Sequence, residues 1–282
     1  MILHSFAKIN LALLVKNRRP DGFHNIETIF TSVDLRDTIS FSKCSGIIVE
    51  TDNPEIPSGP GNLAYKAAAL VQKACGVKEG VRIFIRKKIP VGAGLAGGSG
   101  NAAAVVKGLL MFWRKRPAKS RIDRILRQVG SDVPYCYYGG TMLGRGRGEK
   151  LASLPAFSGY TVVLVCPGVQ VSTAWAYKNL KRNLTYKEDK VKLYHNYREF
   201  LAGRRPLQGL LRNDFEKPVF RKFTRIRRIR LDFERLKAEG SLMSGSGSTV
   251  MGFFKDRALA AAAAGRFRKA GLLVHVAGLL VN

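Results

Sequence analysis

Residues 89–104 read IPVGAGLAGGSGNAAA, a run in which Gly92, Gly94, Gly97, Gly98, Gly100 and the small Ala96 leave the backbone almost bare. Without Cβ atoms a backbone can approach a ligand closely and adopt turns that other residues resist. A strand-like stretch, 81–85, precedes the run. Alanine-rich apolar residues follow it directly and predict a helix over about 99–113. The first N–H groups of a helix have no partner within it and lie at the positive end of its dipole. Strand, glycine loop and helix together therefore suit a phosphate. A plain flexible connector has no need of five glycines ending on so strong a helix.

Gly92-x-Gly94-x-x-Gly97 matches the dinucleotide fingerprint, but that fingerprint also requires an acidic residue about 20 residues further on. No Asp or Glu occurs between Asn101 and Ile122, and Lys87, Lys88, Ile89 and Pro90 separate the strand from the first glycine. A Walker A loop fails for want of G-K-[ST]. A protein kinase fails for want of H-R-D and D-F-G.

The 282 residues suffice for one large or two medium domains with a core that needs no staples. Cys44, Cys75, Cys136 and Cys166 are widely spaced and suggest neither a zinc knuckle nor a disulfide framework, so a reducing cytoplasm is the expected compartment. The opening MILHSFAKIN lacks the pattern of a signal peptide. Apolar runs such as 109–113 fall far short of the roughly 20 residues that span a bilayer, so no membrane partner is expected. Lys and Arg number 48 against 20 Asp and Glu, a net +28 that favours anionic ligands. The densest basic stretches, 114–127 and 217–230, carry apolar residues at helical spacing (Ile122, Ile125, Leu126; Ile226, Ile229). They read as amphipathic helices with solvated basic faces, and no nucleic-acid-binding module accompanies them. Nucleic acid is therefore not expected as a partner despite the charge.

Hydrophobic patterning predicts strands over 9–15, 26–41, 47–50, 161–166, 251–254 and 272–280. It predicts helices from the Asn62 cap to about 75, then near 122–129, 173–180, 191–201, 213–239 and 257–270. This mixture argues an α+β protein in two lobes, 1–155 and 156–282.

Two residues stand out chemically. Lys8 is the single charge in an otherwise apolar stretch, where it either reaches a site or partner or snorkels out at a strand end. Asp132 follows Gly-Ser and precedes Val-Pro, the setting of a helix N-cap.

Four separated segments carry a resemblance. They are Ala7-Lys8-Ile9-Asn10-Leu11 with Arg19-Pro20-Asp21-Gly22-Phe23-His24; the glycine loop; Gly130-Ser131-Asp132-Val133-Pro134 with Gly144-Arg145-Gly146-Arg147-Gly148-Glu149; and Ser244-Gly245-Ser246-Gly247-Ser248-Thr249. Together they resemble the superfamily of galactokinase, homoserine kinase, mevalonate kinase and phosphomevalonate kinase. Within it they resemble the family of 4-diphosphocytidyl-2-C-methyl-D-erythritol kinases of the non-mevalonate isoprenoid pathway. The resemblance implies a two-lobed α+β small-molecule kinase with nucleotide and acceptor in the cleft between lobes. The implied reaction is ATP-dependent phosphorylation of the 2-hydroxyl of the cytidine-diphosphate-linked methylerythritol.

The resemblance also implies roles. Asp132 is the base, and Lys8 orients it and stabilises the transferring phosphoryl group. Pro90, Val91, Gly92, Ala93, Gly94, Leu95, Ala96, Gly97, Gly98, Ser99 and Gly100 hold ATP. His24 and Phe23, the latter at a position where tyrosine is usual, hold the cytosine with Tyr177 on its other face. Thr173 lies near the reacting phosphate, and Asn10 is a further acceptor contact. The common G-G-G-S-S-N is here Ala96-Gly97-Gly98-Ser99-Gly100-Asn101. No protein metal ligand is therefore assigned, and Mg²⁺ is expected to travel with the nucleotide. Two other readings compete: another small-molecule kinase of the superfamily, which would not need Phe23, His24 and Tyr177, and a nucleic-acid-binding protein, which would leave the glycine loop unexplained.

Overall fold

The computed structural model describes residues 1–180 and 192–281. By its contacts the chain forms two compact units, each assembled from separated segments. Both draw on residues before 155, because the two longest strands contribute to each.

The first unit comprises Met1–Lys8, Leu35–Val91 and Ala96–Gly139. Parts of β1 (Ile2–Arg18) and β2 (His24–Cys44) join β3 (Ile47–Thr51) and β4 (Gly80–Arg86) in its sheet. β4 runs antiparallel to β2 and parallel to β3. Helix α1 (Leu63–Cys75) starts where the Asn62 side chain accepts the Ala64 N–H at 2.9 Å, the predicted cap. Helix α2 (Gly97–Phe112) is buried along most of its length, as its all-round apolar composition requires. It packs against α1 and against α4 (Val133–Tyr138), with α3 (Lys119–Val129) beside them. Ile39, Phe41, Ile83, Val71, Val105, Leu109 and Leu126 belong to the resulting core.

The second unit comprises Ile9–Asp34, Gly92–Leu95 and Gly140–Asn282. In its first sheet β5 (Met142–Gly146) pairs antiparallel with both β2 and β6 (Lys150–Ser153). Later in the chain come β7 (Thr161–Cys166), α5 (Thr173–Lys178), α6 (Leu193–Leu201), α7 (Leu207–Leu210) and β8 (Arg212–Asn213), which lies parallel to β1. Then follow α8 (Glu216–Lys222), α9 (Thr224–Arg235), β9 (Gly240–Met243), β10 (Val250–Phe254), α10 (Arg257–Lys269) and β11 (Leu273–Gly278). The second sheet, ordered β11-β7-β10-β9, is antiparallel throughout and is covered by α9 and α10.

The predicted helix over 213–239 is two helices, α8 and α9, broken at Phe223, whose φ of −111° and ψ of 78° are not helical. The helix predicted from 191 starts at Leu193, and residue 191 lies outside the described residues. α3 buries Ile125, Leu126 and Val129, and α9 buries Ile226, Ile229 and Phe233, while Arg225, Arg227 and Arg228 are exposed. The basic stretches are thus outer faces of packed helices. No helix among the described residues is long and apolar enough to cross a membrane.

Candidate active site

Lys8 and Asp132, far apart in sequence, meet in the first unit. Lys8 Nζ lies 3.8 Å from Asp132 Oδ2, with the lysine side chain 6% exposed and the aspartate 34%. Lys8 therefore does not snorkel from a strand end; its ammonium is held inside against the carboxylate. Asp132 occupies the N-cap position of α4, but its side chain makes no capping bond; its backbone carbonyl accepts the Cys136 N–H at 3.0 Å. The carboxylate is thus left to face Lys8. Burial pushes the Cys136 thiol up, Asp132 raises it further and Lys8 opposes, so both charges act at the same spot. Tyr138, at the far end of α4, donates to Asp123 of α3, which also pairs with Lys119, fixing the helix that begins at Asp132.

The glycine loop is anchored by its own backbone. Within the second unit, Ser244 Oγ donates to the Gly94 carbonyl at 3.0 Å, and the Thr249 N–H donates to the Ala93 carbonyl at 3.2 Å. Gly94 has φ +78°, and a Cβ there would lie 2.3 Å from the Ser244 carbonyl oxygen, so no other residue fits. The fourth sequence segment is therefore the bed on which this part of the loop lies. Asn213 Nδ2 braces that bed by donating to the Met243 and Gly245 carbonyls, each at 2.7 Å. Within the first unit, Ala96 precedes α2 with φ +54° and provides no side-chain cap. The first N–H groups of α2, from Gly97 to Ser99, have no acceptor within the helix and no capping side chain from Ala96, an arrangement that suits an anion.

At Gly100 the missing side chain has a visible counterpart. A Cβ there would sit 2.6 Å from Ser5 Oγ and 3.3 Å from the Phe6 carbonyl, and that buried hydroxyl has no hydrogen-bond partner. Gly100→Ser alone is expected to destabilise the protein by about 1–2 kcal/mol through overpacking. Adding Ser5→Ala should recover most of that loss, since Ser5 Cβ would lie 3.9 Å from the new Cβ. Additive thermal shifts in the double-mutant cycle would contradict this contact.

The acceptor candidates lie in the second unit. His24 stacks on Tyr177 with ring centroids 4.9 Å apart and planes 16° from parallel. Tyr177 also meets Phe215 edge-on at 4.8 Å. Phe23 is 53% exposed, with the Arg147 guanidinium 5.0 Å from its ring centre. The structure thus brings His24 and Tyr177 together, whereas Phe23 stands beside Arg147. Burial lowers the His24 pKa and Arg18 lowers it further, which favours the neutral imidazole, a ring with one donor and one acceptor nitrogen. Thr173 Oγ1 lies 2.9 Å from Ser246 Oγ. Asn10 is buried and donates to Thr28 Oγ1 at 2.8 Å.

Sequence reasoning passed over one cluster that touches the loop's flanks: Asp37, Lys87 and Asn101, joined by hydrogen bonds inside the first unit. Its signals were faint, because Asp37 sits in the mixed run Asp34-Leu35-Arg36-Asp37 and Lys87 in a basic pair.

Two family models match the chain: the GHMP kinases N terminal domain over residues 62–140 and the GHMP kinases C terminal over 196–272. A 4-diphosphocytidyl-2-C-methyl-D-erythritol kinase from Acetivibrio thermocellus is 44% identical, covering 90% of each chain. One from Moorella thermoacetica is 39% identical over 95% of each. A crystal structure of a 4-(cytidine 5'-diphospho)-2C-methyl-D-erythritol kinase superposes with a TM-score of 0.83 at 32% identity, covering 99% of each chain. A homoserine kinase from Cytophaga hutchinsonii shares the fold alone, with a TM-score of 0.75 at 19% identity. On the strength of its loop, its Lys8–Asp132 pair and these likenesses, the chain has the GHMP kinase fold and belongs to the 4-diphosphocytidyl-2-C-methyl-D-erythritol kinase family.

Proposed function

We propose that the protein transfers the terminal phosphoryl group of ATP to the 2-hydroxyl of 4-diphosphocytidyl-2-C-methyl-D-erythritol, in the cytoplasm. The observation that carries the reading is the pairing of Lys8 with an Asp132 carboxylate that caps nothing. Phosphoryl transfer to an alcohol needs a group to take the hydroxyl proton and positive charge against the transferring oxygens. Asp132 takes that proton. Lys8, 3.8 Å away, holds the carboxylate in place and offsets negative charge as it develops.

The segment from Pro90 to Gly100 binds the phosphates, through glycine backbone and the uncapped start of α2. ATP with its Mg²⁺ supplies the phosphoryl group and neutralises part of its charge. The hydroxyl of Ser99, in the first turn of α2, can donate a hydrogen bond to a phosphate oxygen. On this reading residues 1–155 contribute the loop, Lys8, Asp132, Asn10, Phe23 and His24, and residues 156–282 contribute Thr173 and Tyr177.

Acceptor choice rests on Phe23, His24 and Tyr177, which together offer aromatic faces and one edge able to hydrogen-bond. A neutral imidazole can both give and accept at a base edge, which suits cytosine. Phe23→Ala is expected to weaken acceptor binding roughly 5–150-fold, on the scale of base–aromatic stacking, with little change in ATP affinity. Because Phe23 is exposed, folding should be unaffected. His24→Ala should relax the preference for cytosine over uracil, and Phe23→Tyr should be tolerated. Calorimetric titration of each variant with acceptor and with ATP checks these outcomes. A fall in ATP affinity with unchanged acceptor affinity would reverse the assignment of the two sites. The position of the new phosphate, read by phosphorus–carbon NMR coupling of the product, tests the 2-hydroxyl.

A further inference from the structure

We propose that Asp37, acting through Asn101 and Lys87, is a positioning residue that sets how tightly the glycine loop binds ATP. The inference rests on the reading of that loop as the ATP site.

Asp37 lies in β2 and is wholly buried. A buried carboxylate must have its oxygens filled by donors, and the donors here are informative. Oδ1 accepts the Lys88 N–H at 2.7 Å and the Ile89 N–H at 2.9 Å, at the point where the chain enters the loop. Oδ2 accepts from Asn101 Nδ2 at 2.8 Å, on α2, just after the chain leaves the loop, and also pairs with Lys87 Nζ. Lys87 Nζ closes the triangle by donating to Asn101 Oδ1 at 3.0 Å. One carboxylate therefore ties the entry of the loop to its exit.

The consequence follows from chain entropy. A glycine-rich segment samples many conformations, and each one excluded beforehand is one that binding need not exclude. Fixing both ends shrinks the ensemble that must be ordered around the phosphates. Lys87 also shapes the exit directly: its Nζ lies 3.1 Å from where a Gly97 Cβ would stand, so the ammonium is packed beneath the first residue of α2. The cluster lies wholly in the first unit and includes none of the acceptor candidates. A purely structural role would lower the folded fraction, which reduces apparent kcat and leaves both KM values unchanged. A positioning role singles out ATP.

The test uses the full chain and steady-state kinetics with each substrate varied. Asp37→Asn keeps the shape but sets an amide donor against Asn101 Nδ2 and Lys87 Nζ. We expect the KM for ATP to rise about 10–100-fold, the scale of a lost charge-assisted hydrogen bond, with the acceptor KM within about twofold. The exchange Asp37→Asn with Asn101→Asp restores a donor facing an acceptor and keeps one carboxylate beside Lys87. It should return the ATP KM to within about threefold of the parent. If Asp37→Asn does not fold, Asn101→Ala provides the reading, since it removes only the tie to the exit; the ATP KM should again rise alone. An unchanged ATP KM in whichever variant folds, or an equal rise in the ATP and acceptor KM values, overturns the proposal. A parent enzyme that binds no ATP would instead show that the reading of the loop had failed.

Discussion

Replacing Asp132 by Asn is expected to lower kcat by about 10²–10⁴-fold while leaving folding and nucleotide affinity close to the parent. The amide matches the carboxylate in shape but cannot take the hydroxyl proton. Two structural facts make the experiment clean. The side chain does not cap α4, so helix stability does not depend on it. It is also one-third exposed, so an unpaired amide there stays in contact with water. Stopped-flow measurement of single turnovers reports the chemical step directly. A variant with near-normal turnover would remove Asp132 from proton transfer and leave it a residue of the turn before α4.

The second large effect is at Lys8. Lys8→Met keeps the stem and removes the ammonium. It should cost about 10²–10³-fold in kcat, comparable to the loss of one preorganised donor aimed at developing charge. The acceptor KM should move little, because charge on the phosphoryl group matters most in the transition state. The partner left behind is the partly exposed Asp132, so no fully buried charge is stranded and the variant should fold. An effect confined to KM would count against the role. Since Lys8 and Asp132 touch, the double variant should lose far less than the product of the single losses.

Much of the site was readable because its residues violate the pattern around them. Lys8 is a charge in an apolar strand, and the glycines of 92–100 are out of place unless a ligand comes close. What patterning could not supply was pairing across space. Nothing near Asp132 distinguishes a cap from a base; only the missing capping bond and the 3.8 Å approach of Lys8 do so. Asp37 was hidden because its value lies in four donors drawn from two other places in the chain, 87–89 and Asn101. The stacking of His24 on Tyr177 depends on how β2 and α5 are carried within the second unit, which no local rule fixes.

The fold shows the same division. Long periodic elements such as α1, α2, α10, β7 and β10 were legible to within a few residues. The strands β5 and β6 were not: β5 contains Gly144 and Gly146 and reads as a loop, and it is a strand because β2 provides it a template edge, as β5 in turn does for β6. The break at Phe223 was masked because the apolar spacing of α8 continues almost in phase into α9.

The most direct test of the account is a phosphoryl-transfer assay with ATP·Mg²⁺ in which 4-diphosphocytidyl-2-C-methyl-D-erythritol is compared with mevalonate and homoserine. The account predicts efficient transfer to the cytidylylated acceptor and kcat/KM lower by at least about 10³-fold for the other two, which offer no base to Phe23, His24 and Tyr177. Equal or faster transfer to mevalonate or homoserine would contradict it.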